Sequence, residues 1–172
     1  MTGGGPQPAR TLPDAEYLRT LIHMSNSTPG PVEPAPPPGP GFEHRLRTES
    51  MILLITTRPD GRPQATPVWF LWDGRHILLF SEPGKAKLRN IAHSDFVVLS
   101  LNMARDGFET LSIEGRAEVR PVGEVTTHYP AYVEKYRELF AVMGETPEHA
   151  ATVWSVPIVV TPTRFLAYSA GA

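Results

Sequence analysis

Residues 55–74 read ITTRPDGRPQATPVWFLWDG. The pattern predicts two apolar strands joined by a Pro-Asp-Gly turn at 59–61, with a second turn at Asp73-Gly74. The second strand is apolar at almost every position from Ala65 to Trp72. A strand of this kind is covered on both faces. We therefore expect the protein core on one side of it and a ligand or another subunit on the other.

A cationic segment follows, in which residues 81–90 read SEPGKAKLRN. Lys85, Lys87 and Arg89 stand at the start of a predicted helix, where free backbone N–H groups and the helix dipole favour an anion. Taken alone, these charges fit a solvated helix face equally well. Together with the apolar strand, they predict a site for a planar aromatic cofactor that carries a phosphate.

The composition excludes several classes of function. The net charge of −2 favours neither nucleic acid nor an anionic membrane as a partner. The chain has no cysteine, and its six histidines lack metal-ligand spacing, so we expect no metal site. Neither a signal peptide nor a membrane span is evident, which indicates a cytoplasmic protein. No motif for a catalytic nucleophile appears, so the catalytic side chains are unknown and a cofactor must supply the chemistry.

Two regions differ in composition. Residues 1–42 contain ten of the 19 prolines and are predicted to form an extended arm, with a possible short helix at 14–24. Residues 43–172 are predicted to form the folded domain.

The domain is predicted to be mainly β, with helices added to a closed or nearly closed barrel. The clearest alternation of inward and outward residues lies between Leu111 and Val119. The predicted strands are 51–57, 63–72, 76–81, 96–103, 108–119 and 158–168, and the predicted helices are 85–92, 124–142 and 147–154.

The sequence resembles the flavin/deazaflavin oxidoreductases that share the split β-barrel of pyridoxamine 5′-phosphate oxidase. The likeness covers roughly residues 44–168 and rests on Asp-Gly-Arg-Pro at 60–63, Pro-Val-Trp-Phe at 67–70, Lys-x-Lys-x-Arg-Asn at 85–90 and Glu-Gly-Arg-Ala-Glu-Val at 114–119. It implies a homodimer with cofactor sites at the subunit interface and a small-molecule substrate. The cofactor-binding residues it implies are Gln64, Thr66, Pro67, Val68 and Trp69 for the ring and its linker, Phe80 and Ser81 beside the phosphate, Lys85 and Lys87 on the phosphate, and Asn90 in the helix.

One departure from the family pattern distinguishes between its branches. The pyridoxamine phosphate oxidases carry two basic residues along the second strand that help to bind FMN, and here Thr66 and Leu71 take their places. Vitamin B6 oxidation is therefore disfavoured, and the Pro-Val-Trp-Phe form resembles the branch that uses the deazaflavin coenzyme F420. The resemblance implies hydride transfer from reduced F420 to a conjugated acceptor. The alternatives are an FMN-dependent reductase or oxidase of the same fold, and a non-catalytic cofactor or heme-binding protein.

Overall fold

The computed structural model of the protein describes residues 32–101, 109–121 and 129–169. The short helix predicted at 14–24 lies outside these residues, as do the beginning of the helix predicted at 124–142 and the end of the strand predicted at 96–103.

The described residues form six strands and four helices, at bounds close to those predicted. The strands are β1 (Met51–Thr57), β2 (Pro63–Trp72), β3 (Ile77–Ser81), β4 (Phe96–Leu101), β5 (Glu109–Val119) and β6 (Val156–Ser169). The helices are α1 (Pro40–Thr48), α2 (Ala86–His93), α3 (Tyr129–Met143) and α4 (Pro147–Val153). Within the described ranges, no helix is long and apolar enough to cross a membrane.

The strands close into a barrel in the order β1-β2-β3-β6-β5-β4, and every neighbouring pair is antiparallel. Alternate residues of each strand point inward and form one apolar core, as the alternation in β5 predicts. Leu88 and Ile91 of α2 belong to this core, so the helix packs against the barrel with its apolar side. The prediction of a mainly β barrel with added helices is confirmed.

The turn between β1 and β2 is the one that the Pro-Asp-Gly sequence predicts. Gly61 has a φ of +80°, a conformation that side-chain-bearing residues rarely adopt. The Arg58 N–H donates to the Arg62 carbonyl at 2.9 Å and closes the turn. The turn sets the register that pairs Thr57 with Pro63 and Met51 with Trp69.

A register shift in the β5–β6 pair lies between Glu114 and Gly115. A Cβ atom at Gly115 would lie 2.8 Å from a methyl carbon of Val160 and 2.9 Å from the backbone oxygen of Thr161. Glycine therefore allows β6 to approach β5 closely at the irregularity.

Helix α1 is the one element among the described residues that the sequence analysis missed. It begins at Pro40, inside the segment predicted as an extended arm, and it buries Leu46 completely. Proline is compatible with the first turn of a helix because its missing N–H has no partner there in any case. Before α1, the Ala35 N–H donates to the Pro162 carbonyl of β6 at 2.8 Å, so this stretch is bonded to the barrel.

Candidate functional site

Strand β2 is covered on both faces over residues 68–72, as its apolar sequence predicts, whereas Pro63, Ala65 and Pro67 are exposed. Its inward side chains, Val68, Phe70 and Trp72, belong to the barrel core. Its outward side chains, Trp69 and Leu71, pack against a second cluster formed by α3 and α4. Part of the outer cover is therefore a helix of the same chain, where the sequence predicted a ligand or another subunit. The buried side chains of α3 that pack there are Tyr132, Tyr136 and Phe140.

Tyr136 joins α3 to β2. Its ring stacks on Trp69 with centroids 4.5 Å apart and an angle of 6° between the planes. The hydroxyl accepts the Phe70 N–H at 2.7 Å and lies 2.8 Å from the carbonyl oxygens of Phe70 and Ser50. The ladder between β1 and β2 ends at Met51 and Trp69, so the hydroxyl satisfies backbone groups just beyond its last pair. This contact holds α3 against the barrel and keeps Trp69 in place.

A cavity of about 530 Å³ lies beside this contact, a volume typical of small-molecule sites. Its walls are mostly aromatic and apolar, and one end carries charged groups. Its lining residues are Met51, Thr66, Pro67, Val68, Trp69, Phe80, Glu82, Lys85, Lys87, Tyr132, Met143 and Trp154.

The aromatic walls are held by ring contacts. Phe80 meets Tyr132 edge to face with centroids 4.8 Å apart, and Trp69 lies 6.2 Å from Trp154. Burial raises the pKa of Tyr132, and the neighbouring tyrosines act in the same direction, so its hydroxyl stays protonated at neutral pH. The walls therefore offer flat, apolar and uncharged surfaces to a ligand.

The charged end is formed by the last residue of β3 and the segment that enters α2. The Lys87 ammonium donates to the Ser81 hydroxyl at 3.2 Å, and Ser81 is almost fully buried. Burial lowers the pKa of Lys87, the charge of Lys85 lowers it further, and Glu82 acts in the opposite direction. An anion bound here would offset both unfavourable effects on the ammonium, which favours an anion at this end of the cavity.

Helix α2 adds to the positive potential at this end. Lys85 is the N-cap residue that precedes Ala86, and its side chain makes no capping hydrogen bond to the described residues. The first-turn N–H groups of α2 and the helix dipole favour negative charge nearby.

Seven of the ten predicted cofactor-binding residues line the cavity: Thr66, Pro67, Val68, Trp69, Phe80, Lys85 and Lys87. Ser81 adjoins it through its bond to Lys87.

Pro67 lies where β2 pairs with β1 alone, since β3 pairs only with residues 70–72. The Phe70 N–H points to the β1 side, because the Tyr136 hydroxyl that accepts it also bonds to Ser50, just before β1. Backbone N–H groups alternate in direction along a strand, so the nitrogen of Pro67 points the other way, to the unpaired edge. A proline there removes no hydrogen bond from the ladder.

Gln64 and Asn90 lie outside the cavity lining. The Asn90 amide donates to the Thr56 hydroxyl at 2.9 Å and to the Gln64 side-chain oxygen at 3.0 Å. Asn90 is only 3% exposed. The network ties α2 to β1 and β2, so in this structure the two residues bond to each other and to Thr56.

Five lining residues are absent from the predicted set: Met51, Glu82, Tyr132, Met143 and Trp154. Glu82 could have been noticed as an acid within the cationic segment. Met143 is the last residue of α3 and Trp154 directly follows α4. Both lie far along the chain, and no local pattern marks them. Among the described residues, no three His, Cys, Asp or Glu side chains cluster in a way that could hold a metal ion.

Comparisons with known proteins agree with this architecture. A family model described as pyridoxamine 5′-phosphate oxidase matches residues 41–164. A solved structure named F420 reductase is 29% identical, with 76% of this chain and 98% of that chain covered and a TM-score of 0.57. The comparison with curated proteins yields no match.

Two further solved structures are similar in fold alone. A conserved hypothetical protein from Mycobacterium tuberculosis is 19% identical, covering 83% of this chain and 90% of its own, with a TM-score of 0.62. An FAD-binding protein from Mesorhizobium loti is 15% identical, covering 77% of this chain and 93% of its own, with a TM-score of 0.59.

Proposed function

The chain belongs to the pyridoxamine 5′-phosphate oxidase family of flavin-type oxidoreductases, and from this we propose that it uses reduced deazaflavin coenzyme F420 to transfer hydride to a conjugated small-molecule acceptor. The observation that carries the proposal is the pairing of an aromatic cavity with the Lys87–Ser81 bond at one end of it. The 29% identity to a protein named F420 reductase supports the choice of cofactor.

The residues present fit a cofactor of this shape. Trp69, Phe80 and Trp154 provide apolar surface for a planar ring system, and the Lys87 ammonium provides donors for a phosphate. Ser81 positions this ammonium: its hydroxyl accepts from Lys87 and donates to the Glu82 carbonyl. Thr66 lines the cavity and Leu71 packs in the outer apolar cluster, so the two positions that are basic in FMN-binding oxidases carry no charge here. The phosphate would depend on the charged end of the cavity.

The protein contributes position and environment to the reaction. When bound, reduced deazaflavin supplies the hydride. The aromatic walls orient the ring and exclude water from it, and the Lys87 ammonium holds the phosphate end. Protonated Tyr132 keeps the wall beside Phe80 uncharged.

We also propose that the protein is a homodimer with the cofactor sites at the interface. Two cavity residues support this, because Met51 is 46% exposed and Met143 is 52% exposed, and a second subunit would cover them. Light scattering of the purified protein should give twice the chain mass. Met143→Glu should shift the mass toward the monomer, whereas Glu134→Gln on the exposed side of α3 should not.

A fluorescence titration of the purified protein with F420 and with FMN tests the proposed cofactor. Binding of F420 at micromolar or lower concentration, with FMN much weaker, is the expected result. Reduced F420 would then be offered a panel of conjugated acceptors, with its reoxidation followed by absorbance. A preference for FMN would overturn the choice of cofactor, and a failure to bind either would overturn the assignment of the cavity.

A further inference from the structure

Glu82 is an acidic residue in the wall of a cavity otherwise suited to anions. Its carboxylate lies 3.0 Å from the Lys85 ammonium, and both residues line the cavity. Both side chains are partly exposed, at 40% for Glu82 and 45% for Lys85. A carboxylate at this place weakens the binding of any anion, and the repulsion grows with the charge of that anion.

The charges of the lining residues leave a single positive charge in excess. Glu82 offsets Lys85, whereas Lys87 bonds to the neutral hydroxyl of Ser81. Lys87 is also the more buried of the two lysines. A bound anion therefore meets the Lys87 ammonium, which forms no ion pair with a carboxylate of the described residues, and the Glu82 carboxylate in the same cavity wall.

Phosphate groups differ in the charge that they bring to such a site. A phosphomonoester carries about −1.5 to −2 at neutral pH, whereas a phosphodiester has a single ionisable oxygen and carries one negative charge. One excess positive charge matches the diester. The second charge of a monoester would have no lining side chain to balance it, and Glu82 would repel it in a partly desolvated place where charges interact more strongly than in water.

We propose that Glu82 makes this cavity select a phosphodiester over a phosphomonoester. The inference rests on the proposed function, because it takes the cavity as the binding site of a phosphate-bearing cofactor. F420 carries its phosphate as a diester and FMN carries a monoester, so Glu82 would be a residue that discriminates between them.

The test uses ligands that share one ring and one ribityl chain and carry zero, two or one negative charges at the end of that chain. The first is the deazaflavin with its ribityl chain alone, the second is its 5′-phosphate, and the third is the methyl ester of that phosphate. Riboflavin, FMN and the methyl ester of FMN form a parallel series, so that either ring can report. Dissociation constants are measured by fluorescence at pH 8 for wild type, Glu82→Gln and Glu118→Gln. Glu118 of β5 pairs with Arg120, just beyond the strand, at 2.7 Å and does not line the cavity, so its variant controls for net charge.

In Glu82→Gln, we expect the monoester to bind about threefold to tenfold more tightly than to wild type. The methyl diester should gain only about twofold to threefold, because the Coulomb energy scales with the charge of the ligand. The uncharged member should be unaffected, and Glu118→Gln should match wild type with all three.

The outcomes separate this inference from the proposed function. Equal gains for monoester and diester, or no gain for either, would overturn the role of Glu82 while leaving the cofactor site intact. If no member of either series binds to wild type, the proposed function itself fails, and the inference fails with it.

Discussion

The Tyr136 hydroxyl bonds to both backbone polar groups of Phe70: it accepts the N–H at 2.7 Å and lies 2.8 Å from the carbonyl oxygen. One side chain of α3 thus completes the hydrogen bonding of β2 where its pairing with β1 stops. The same ring stacks on Trp69, so the side chain that completes the backbone hydrogen bonds of β2 also positions one wall of the cavity. Stability and the shape of the candidate site are therefore coupled at Tyr136.

Tyr136→Phe should lower the free energy of unfolding by about 1–3 kcal/mol, because the Phe70 N–H is left buried without its partner. Urea denaturation measures this loss. Tyr168→Phe removes a hydroxyl from a residue that is 62% exposed and should change stability by less than about 0.5 kcal/mol. Equal effects of the two variants would contradict the role given to Tyr136.

Lys87→Met should weaken cofactor binding by about 1–3 kcal/mol, the value of a charge-assisted hydrogen bond. Arg89→Met is a matched control, since Arg89 lies two residues further along α2, is exposed and donates to the Gly84 carbonyl. Titration of both variants with the fluorescent cofactor gives the comparison. An unchanged dissociation constant for Lys87→Met would rule out the phosphate assignment.

Asn90→Ala should lower the free energy of unfolding by about 1–3 kcal/mol, because Thr56 and Gln64 lose their donor in a buried place. A double-mutant cycle with Thr56→Val should show coupling, since the two side chains are directly bonded. Asn90→Ala should weaken cofactor binding less than Lys87→Met does. A larger effect would mean that the amide network serves the ligand directly.

Lys135 should make stability rise with pH above neutrality. Its ammonium lies 3.0 Å from the Phe70 carbonyl and 3.9 Å from the centre of the Phe70 ring. Burial lowers its pKa to about 8, while Glu49 acts in the opposite direction. Lysine in an unfolded chain titrates near 10.4. Between these two values the unfolded chain holds a proton that the folded chain has released, so the free energy of unfolding increases with pH.

The expected gain between about pH 8 and pH 10 is about 1–2 kcal/mol after allowance for partial solvent screening. Lys135→Met lacks this titration, so wild type should gain stability relative to the variant over that interval. Urea midpoints at a series of pH values measure the difference. Parallel curves for the two proteins would contradict the lowered pKa.

Gly115→Ala should destabilise the barrel by about 1–3 kcal/mol, because the added Cβ meets Val160 and the Thr161 backbone at less than 3 Å. Gly39→Ala is the control, since a Cβ there has nothing within 4 Å. Thermal unfolding of both variants shows whether the cost belongs to the β5–β6 contact. Equal melting temperatures would mean that the strands shift to accept the methyl group.

The strands could be predicted from the sequence because their signals are local. The alternation from Leu111 to Val119 has the period of a strand, and Asp60-Gly61 has the conformational freedom of a turn. Helix α1 escaped prediction because its first residues, Pro40 and Gly41, are those of a linker, and its stability comes from the burial of Leu46.

Which residues line the cavity depends on closure of the barrel and on the packing of α3 and α4 against it. Trp69 and Trp154 are distant in the chain, yet their rings lie 6.2 Å apart. Gln64 and Thr66 lie on the same predicted strand, and the sequence does not distinguish them. In the fold, the side-chain oxygen of Gln64 accepts a hydrogen bond from Asn90 and lies outside the cavity lining, whereas Thr66 lines the cavity. Periodicity along a chain specifies which face of an element a residue occupies. Which faces meet depends on contacts between distant segments, and only the folded barrel brings those together.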